Sequence, residues 1–324
     1  MAGPLSPHAH GATRLSDGRD LGWASFGDPD GDTVFWFHGS PGARAQLPHD
    51  IEQYAVEHQL RIVGVERPGT GHSTPHRYSQ IIDFVPDLVE LADNIDADQF
   101  ACVGLSGGGP FVLACAHELP DRMTTGVVLG GVGPTRGIDA VVSHTLALVP
   151  ASVVLNATSK QLGNLTAGLI KRVKHLADPL VDVFFSLQPG DRSEFANRPL
   201  DKRQFTADLI DACERSGLES PFQDLVLFGR HWGFELARIR QPITFYGGSS
   251  DVIVPYVHAE RQSKRVKNAR LRTMEGRGHF AGYTSPDMVL ADIREAWPQS
   301  SATTRRESAP SAKNSSRSKR STTR

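Results

Sequence analysis

At 324 residues, 39% hydrophobic and 22% charged, the chain has room for one large domain or two modest ones and enough apolar mass for a sizeable core. The net charge of −1 conceals an asymmetry: residues 299–324 balance to +6, which leaves about −7 on the remainder, too acidic a body for a nucleic-acid footprint. Cys102, Cys115 and Cys213 show no metal-ligand spacing, and the first ten residues lack a basic stretch followed by an apolar one, so a cytoplasmic protein without a signal peptide is expected.

In chain order, a flexible segment over 1–11 precedes two short strands between Thr13 and Gly27, joined by the turn Ser16-Asp17-Gly18-Arg19. The apolar runs Thr33–Phe37 and Leu60–Val65 have the character of strands buried on both faces. Ile81, Ile82, Val85, Leu88, Val89 and Ala92 recur at helical spacing, and Pro86 should shorten or kink that helix. A strand over Phe100–Val103, a helix over Pro110–Leu119 and a strand over Thr125–Leu129 follow. Apolar strands alternating with helices predict an α/β fold with a doubly wound, mostly parallel sheet.

The pattern changes over 135–230, where helical stretches occur at 140–149, 162–176, 180–187, 204–215 and 221–228 with no buried strand. This predicts a helical insertion. The run Ala140–Ser159 has no charged residue and approaches the length of a membrane span, but Ser143, His144, Thr145, Pro150, Ser152, Asn156 and Thr158 favour a buried helix. Strand character returns at Ile243–Tyr246 and Arg270–Met274, with helices near 255–266 and 286–297. The tail, 299–324, is polar and basic and is expected to be disordered, with weak contact to lipid or another anionic surface as its one suggested partner.

Four strand ends carry the chemistry. Gly104-x-Ser106-x-Gly108 has the spacing of a nucleophile elbow, in which a strand reverses sharply into a helix with serine at the tip. His38-Gly39-Ser40-Pro41-Gly42 can turn the amide of Ser40 towards that serine, forming with the amide of Gly107 a two-donor oxyanion hole. Asp251, in Gly247-Gly248-Ser249-Ser250-Asp251, can orient an imidazole, although its position before Val252 also suits a helix cap. His279, in Gly276-Arg277-Gly278-His279, lies beyond the last strand. The loops after parallel strands gather on one sheet edge, and the order Ser106, Asp251, His279 suits a triad.

With Arg67-Pro68-Gly69-Thr70-Gly71-His72-Ser73 and Gly247-x-x-x-Asp251-x-x-x-Pro255, these motifs resemble the α/β-hydrolase fold superfamily over about residues 12–298, in its capped serine-hydrolase branch of bacterial esterases and proline iminopeptidases. The resemblance implies an eight-stranded sheet with its second strand antiparallel, a core of 12–134 and 231–298, and a helical cap, 135–230, after the sixth strand. Trp232-Gly233-Phe234 looks like the return from cap to core. Serine at the elbow departs from the Asp-nucleophile epoxide hydrolases and haloalkane dehalogenases. Ser40 and Leu105 depart from the Gly and Trp usual in proline iminopeptidases.

The expected activity is hydrolysis of a carboxylic ester, with amide or thioester less favoured. Ser106 is the nucleophile, His279 the base, Asp251 its orienting acid, and the amides of Ser40 and Gly107 the oxyanion donors. No metal and no organic cofactor is implied, and Arg67 and Ser73 are read as loop-structuring. The expected partner is a small apolar ester held against cap side chains drawn from Leu146, Leu148, Val149, Val153, Leu155, Phe184, Phe185 and Leu187. Acyl transfer or perhydrolysis, a proline iminopeptidase-like peptidase, and a sensing protein with a slow or silent site stay as alternatives; oligomeric state is open.

Overall fold

The computed structural model describes residues 5–173, 176–214 and 217–297. Eight strands form one sheet in the order β1-β2-β4-β3-β5-β6-β7-β8. They are β1 (Ala9–Arg14), β2 (Asp20–Gly27), β3 (Asp32–Phe37), β4 (Leu60–Val65), β5 (Phe100–Leu105), β6 (Met123–Leu129), β7 (Ile243–Gly248) and β8 (Ala269–Met274). β2 runs antiparallel to both β1 and β4, and β4 through β8 pair in parallel. β1 starts at Ala9, inside the stretch 1–11 expected to be flexible, because backbone pairing with β2 anchors it. The basic tail, 299–324, lies outside the described residues.

Successive strand residues point to opposite faces, and the two cores follow that period. Phe35, Phe37, Phe100 and Cys102 pack on one side with Phe84 and Leu88, whereas Val34, Trp36, Ala101, Val103 and Leu105 pack on the other. The helices on the first side include α2 (Val85–Asn94), α3 (Gly109–Glu118) and α9 (Val257–Arg265); α1 (Ile51–Glu57) and α10 (Pro286–Ala296) cover the second. Pro86 does not kink α2. A 3-10 turn over Ile81–Phe84 precedes the helix, and Pro86 sits in its first turn, where a missing N–H costs no hydrogen bond.

Between β6 and β7 the described chain holds α4 (Leu148–Val173), α5 (Ala177–Ser186), α6 (Pro189–Asn197), α7 (Pro199–Glu214) and α8 (Glu219–Phe228). α6 gives no apolar stripe in PGDRSEFAN and escapes a search for periodicity. Among the described residues, no helix is long and apolar enough to cross a membrane. The run 140–159 is split: a 3-10 turn over His144–Ala147 precedes α4. An aromatic cluster joins insert to core, with Phe185 stacked on Phe195 at 3.9 Å and both Phe195 and Phe205 edge-on to Phe280 at 5.3 Å.

Candidate active site

The centre of the sheet delivers Ser106. β5 lies between β3 and β6, and the chain turns from it through Ser106 directly into α3. Ser106 has φ 52°, a left-handed conformation that costs a side-chain-bearing residue about 1–2 kcal/mol and is held by the surrounding fold. The flanking glycines permit the turn. A Cβ on Gly104 would stand 2.5 Å from the Gly108 carbonyl carbon, and one on Gly108 would stand 2.2 Å from the Phe37 carbonyl oxygen.

Asp251 and His279 meet behind it. Asp251 Oδ2 lies 2.8 Å from His279 Nδ1, both side chains being almost wholly buried. Asp251 Oδ1 accepts the amides of Ile253 at 2.8 Å and Val254 at 2.9 Å. One oxygen thus meets the His279 ring and the other closes a turn in its own loop; Asp251 does not cap the next helix, which begins at Val257 after Tyr256 with no side-chain cap. Asp139, the nearest carboxylate after β6 in sequence, is spent elsewhere on the Leu236 amide and Arg265. Ser106 and His279 line one cavity, with no hydrogen bond between their side chains among the described residues.

The loop after β3 packs on the elbow. A Cβ on Gly39 would lie 3.4 Å from Ser106 Cβ, and one on Gly107 would lie 2.9 Å from Ser40 Oγ. Ser40 and Gly107 are thus neighbours. The Gly39 amide is committed to Gln46 Oε1 at 2.6 Å. His38 is fixed beneath: its Nδ1 sits 2.7 Å from the Gly39 carbonyl, and its Nε2 accepts the Arg67 amide at 3.3 Å. Burial, aided by the Arg67 charge, holds the His38 pKa well below its usual value, so the ring is neutral at physiological pH.

Arg67 and Ser73 both structure loops, but Arg67 reaches further than its motif suggests. Ser73 accepts the Gly22 amide and donates to the Glu66 carbonyl. The buried Arg67 guanidinium donates to the carbonyls of His38 at 2.6 Å and Gly39 at 2.9 Å, to Ser40 Oγ at 2.9 Å and to Asp224 at 2.7 Å. Asp224 belongs to α8 of the insert, and Ser40 Oγ donates to it as well.

Asp224 is one of four buried aspartates through which the insert grips the core. Asp191 of α6 accepts the amides of His279 at 2.9 Å and Phe280 at 2.8 Å. Next to it, Glu194 takes both branches of Arg277 at 2.6 Å. Asp208 of α7 accepts the amides of Ala43 at 2.7 Å and Ala45 at 2.9 Å, and Asp201 accepts the His49 amide at 2.8 Å. Desolvation raises the pKa of Asp191 against the opposing pull of its two amides, and pushes that of Asp208 up to about 8. His49, Asp50 and Asp201 cluster closely enough to suggest a cation site, but Arg198 bridges both carboxylates and supplies the positive charge. None of the four aspartates carries a motif.

The cavity over Ser106 and His279 has a volume of about 450 Å³ and is walled largely by Leu180, Val181, Phe184, Phe205, Leu209 and Phe280. None of its described lining residues is Asp, Glu, Lys or Arg. Of the insert side chains expected to form such a wall, Phe184 alone does so: Phe185 is in the core, and Val153 and Leu187 face outward. The wall comes instead from α5, α7 and Ile170 near the end of α4. Cys213 also lines the cavity, its thiol pushed up to about 12 by burial and therefore poorly nucleophilic.

Similarity to known proteins agrees with this geometry. A proline iminopeptidase of Arabidopsis thaliana is 33% identical over 132 residues, which are 40% of this chain and 34% of that protein. The chain therefore spans only about a third of that relative. A non-heme chloroperoxidase of Streptomyces lividans is 23% identical over 87% of this chain and 98% of its own. An alpha/beta hydrolase fold protein from Nakamurella multipartita superposes with a TM-score of 0.64 at 19% identity, over 89% of this chain and 99% of that one. The family model for the alpha/beta hydrolase fold matches residues 32–286. With the sheet order, the left-handed serine and the buried Asp–His pair already in place, this match establishes that the chain belongs to the α/β-hydrolase fold family of enzymes.

Proposed function

We propose that the chain hydrolyses an uncharged, apolar carboxylic ester through an acyl-enzyme on Ser106. The carrying observation is that Ser106, strained at the tip of the elbow, shares an apolar cavity, with no charged side chain among its described lining residues, with a histidine already paired to a buried aspartate. With substrate bound, His279 Nε2 takes the Ser106 proton as Oγ bonds to the carbonyl carbon, while Asp251 stabilises the imidazolium from Nδ1. The amides of Ser40 and Gly107 receive the oxyanion. The tetrahedral species collapses as His279 returns the proton to the departing alcohol. Water, deprotonated by His279, then attacks the acyl-enzyme, and breakdown of the second tetrahedral species releases the acid and restores Ser106.

The cavity's lining supports the substrate class. A charged group moved into such a wall loses its hydration with no counter-charge among the described lining residues to replace it, whereas an alkyl or aryl group gains about 25 cal/mol for each Å² buried. The same argument weighs against the iminopeptidase reading suggested by the Arabidopsis relative, since a free N-terminal ammonium finds no carboxylate among the described lining residues. Labelling with a fluorophosphonate tests the mechanism: Ser106→Ala should abolish it and His279→Ala should slow it severely. Labelling that survives Ser106→Ala would overturn the reading. A series of p-nitrophenyl esters tests the class, with kcat/KM expected to rise from acetate to longer chains. Adding competing alcohol or peroxide, with product analysis, separates hydrolysis from acyl transfer and perhydrolysis.

A further inference from the structure

Helix α8 touches both halves of the proposed oxyanion hole. Asp224 accepts from Ser40 Oγ, and one turn later the ring of Phe228 lies where a Cβ on Gly107 would come within 2.9 Å of it. Positions i and i+4 share one face of a helix, so a single surface of α8 bears on the two residues whose amides would hold the oxyanion. The helix itself is pinned to the core: Ser220 Oγ lies 2.8 Å from Thr70 Oγ1, and the Phe228 carbonyl accepts from Thr135 Oγ1. Arg67 closes the circuit, binding Asp224, Ser40 Oγ and two carbonyls of the same loop while its guanidinium sits 5.0 Å over the Phe111 ring of α3.

We infer that Asp224 is a positioning residue for catalysis, fixing the Ser40 amide relative to that of Gly107 through the Ser40 hydroxyl and Arg67. The inference rests on the proposed hydrolytic reading. It adds that α8 contributes to kcat without lining the cavity, since neither Asp224 nor Phe228 is among the residues that wall it. The physical basis is that oxyanion donors act through preorganisation, and a displacement of about 1 Å at a site can cost on the order of 100-fold in rate.

The test compares Ser40→Ala, Asp224→Asn and the double variant in the full chain, using p-nitrophenyl butyrate and an alkyl trifluoromethyl ketone that mimics the tetrahedral species. Ser40→Ala keeps the backbone amide and loses only the tether. Each single variant should lower kcat by about 10- to 100-fold with KM within about twofold, and should weaken the ketone by the factor lost in kcat/KM. The double variant should be no slower than Asp224→Asn, because both changes break one linkage. Asp224→Asn leaves a buried guanidinium short of its partner and can fail to fold; circular dichroism reports this, and Ser40→Ala then decides alone. Folded variants with an unchanged kcat, or with the loss confined to KM, would overturn the inference. Ser106→Ala run alongside separates the two levels: turnover that persists there removes the hydrolytic reading, whereas loss there with wild-type kcat in Ser40→Ala removes only the role of Asp224.

Discussion

The core and the helical insert each set buried aspartates against the loops around Ser106, and the two sets are built differently. Asp251, from the core, divides its oxygens between the His279 ring and two backbone amides. Asp191, from the insert, gives both oxygens to amides, including that of His279 itself. One aspartate faces a group whose charge changes during the proposed reaction; the other faces backbone whose charge never changes. Proximity to the histidine is therefore a poor guide to chemical role. The partner atom is a better one.

The largest expected effect follows from that contrast. Asp251→Asn preserves size but presents an amide where the imidazole needs an anion, and kcat should fall on the order of 10⁴-fold. Asp191→Asn keeps one acceptor for the two amides, so kcat should fall no more than about tenfold, and the main loss should be about 1–3 kcal/mol of stability in urea unfolding. Equal losses of kcat in the two variants would erase the distinction. Gly107→Ala falls between them. Its new Cβ must displace Ser40 Oγ and the Phe228 ring, each 2.9 Å away, so kcat should drop by about 100-fold with little change in KM.

The same contrast explains what could be read from the chain. The core announces itself because a parallel sheet forces β-strands into apolar runs and forces its functional residues onto loops rich in Gly and Pro. Gly104 and Gly108 are needed where backbone approaches backbone, and that need leaves a visible spacing around Ser106. The family resemblance rests on such spacings, and it implied the eight strands that the sheet contains. The insert gives no such signal. The helix α6 has almost no amphipathic pattern, since Asp191 and Gly190 are buried against Gly278 while charged residues surround them. Its contribution depends on tertiary contact, which local periodicity does not encode. Arg67 is an intermediate case: its motif marks a structured loop, but its partner Asp224 lies 157 residues away.

A smaller effect sharpens the comparison from the side of stability. Asp208 binds two amides as Asp191 does, and its pKa is pushed up to about 8 by desolvation, with Asp211 and Glu66 adding to the rise. A carboxyl group whose pKa is higher folded than unfolded binds its proton more tightly in the folded state. Its contribution to stability is complete below the unfolded value, near 4, and is lost as pH climbs to about 8. The attachment of α7 to the loop at Ala43 and Ala45 should accordingly weaken between about pH 4 and 8. Hydrogen exchange at those amides should quicken with pH beyond the intrinsic base-catalysed rise, and Asp208→Asn, which cannot ionise, should remove the excess. An excess that persists in Asp208→Asn would assign the effect to another group.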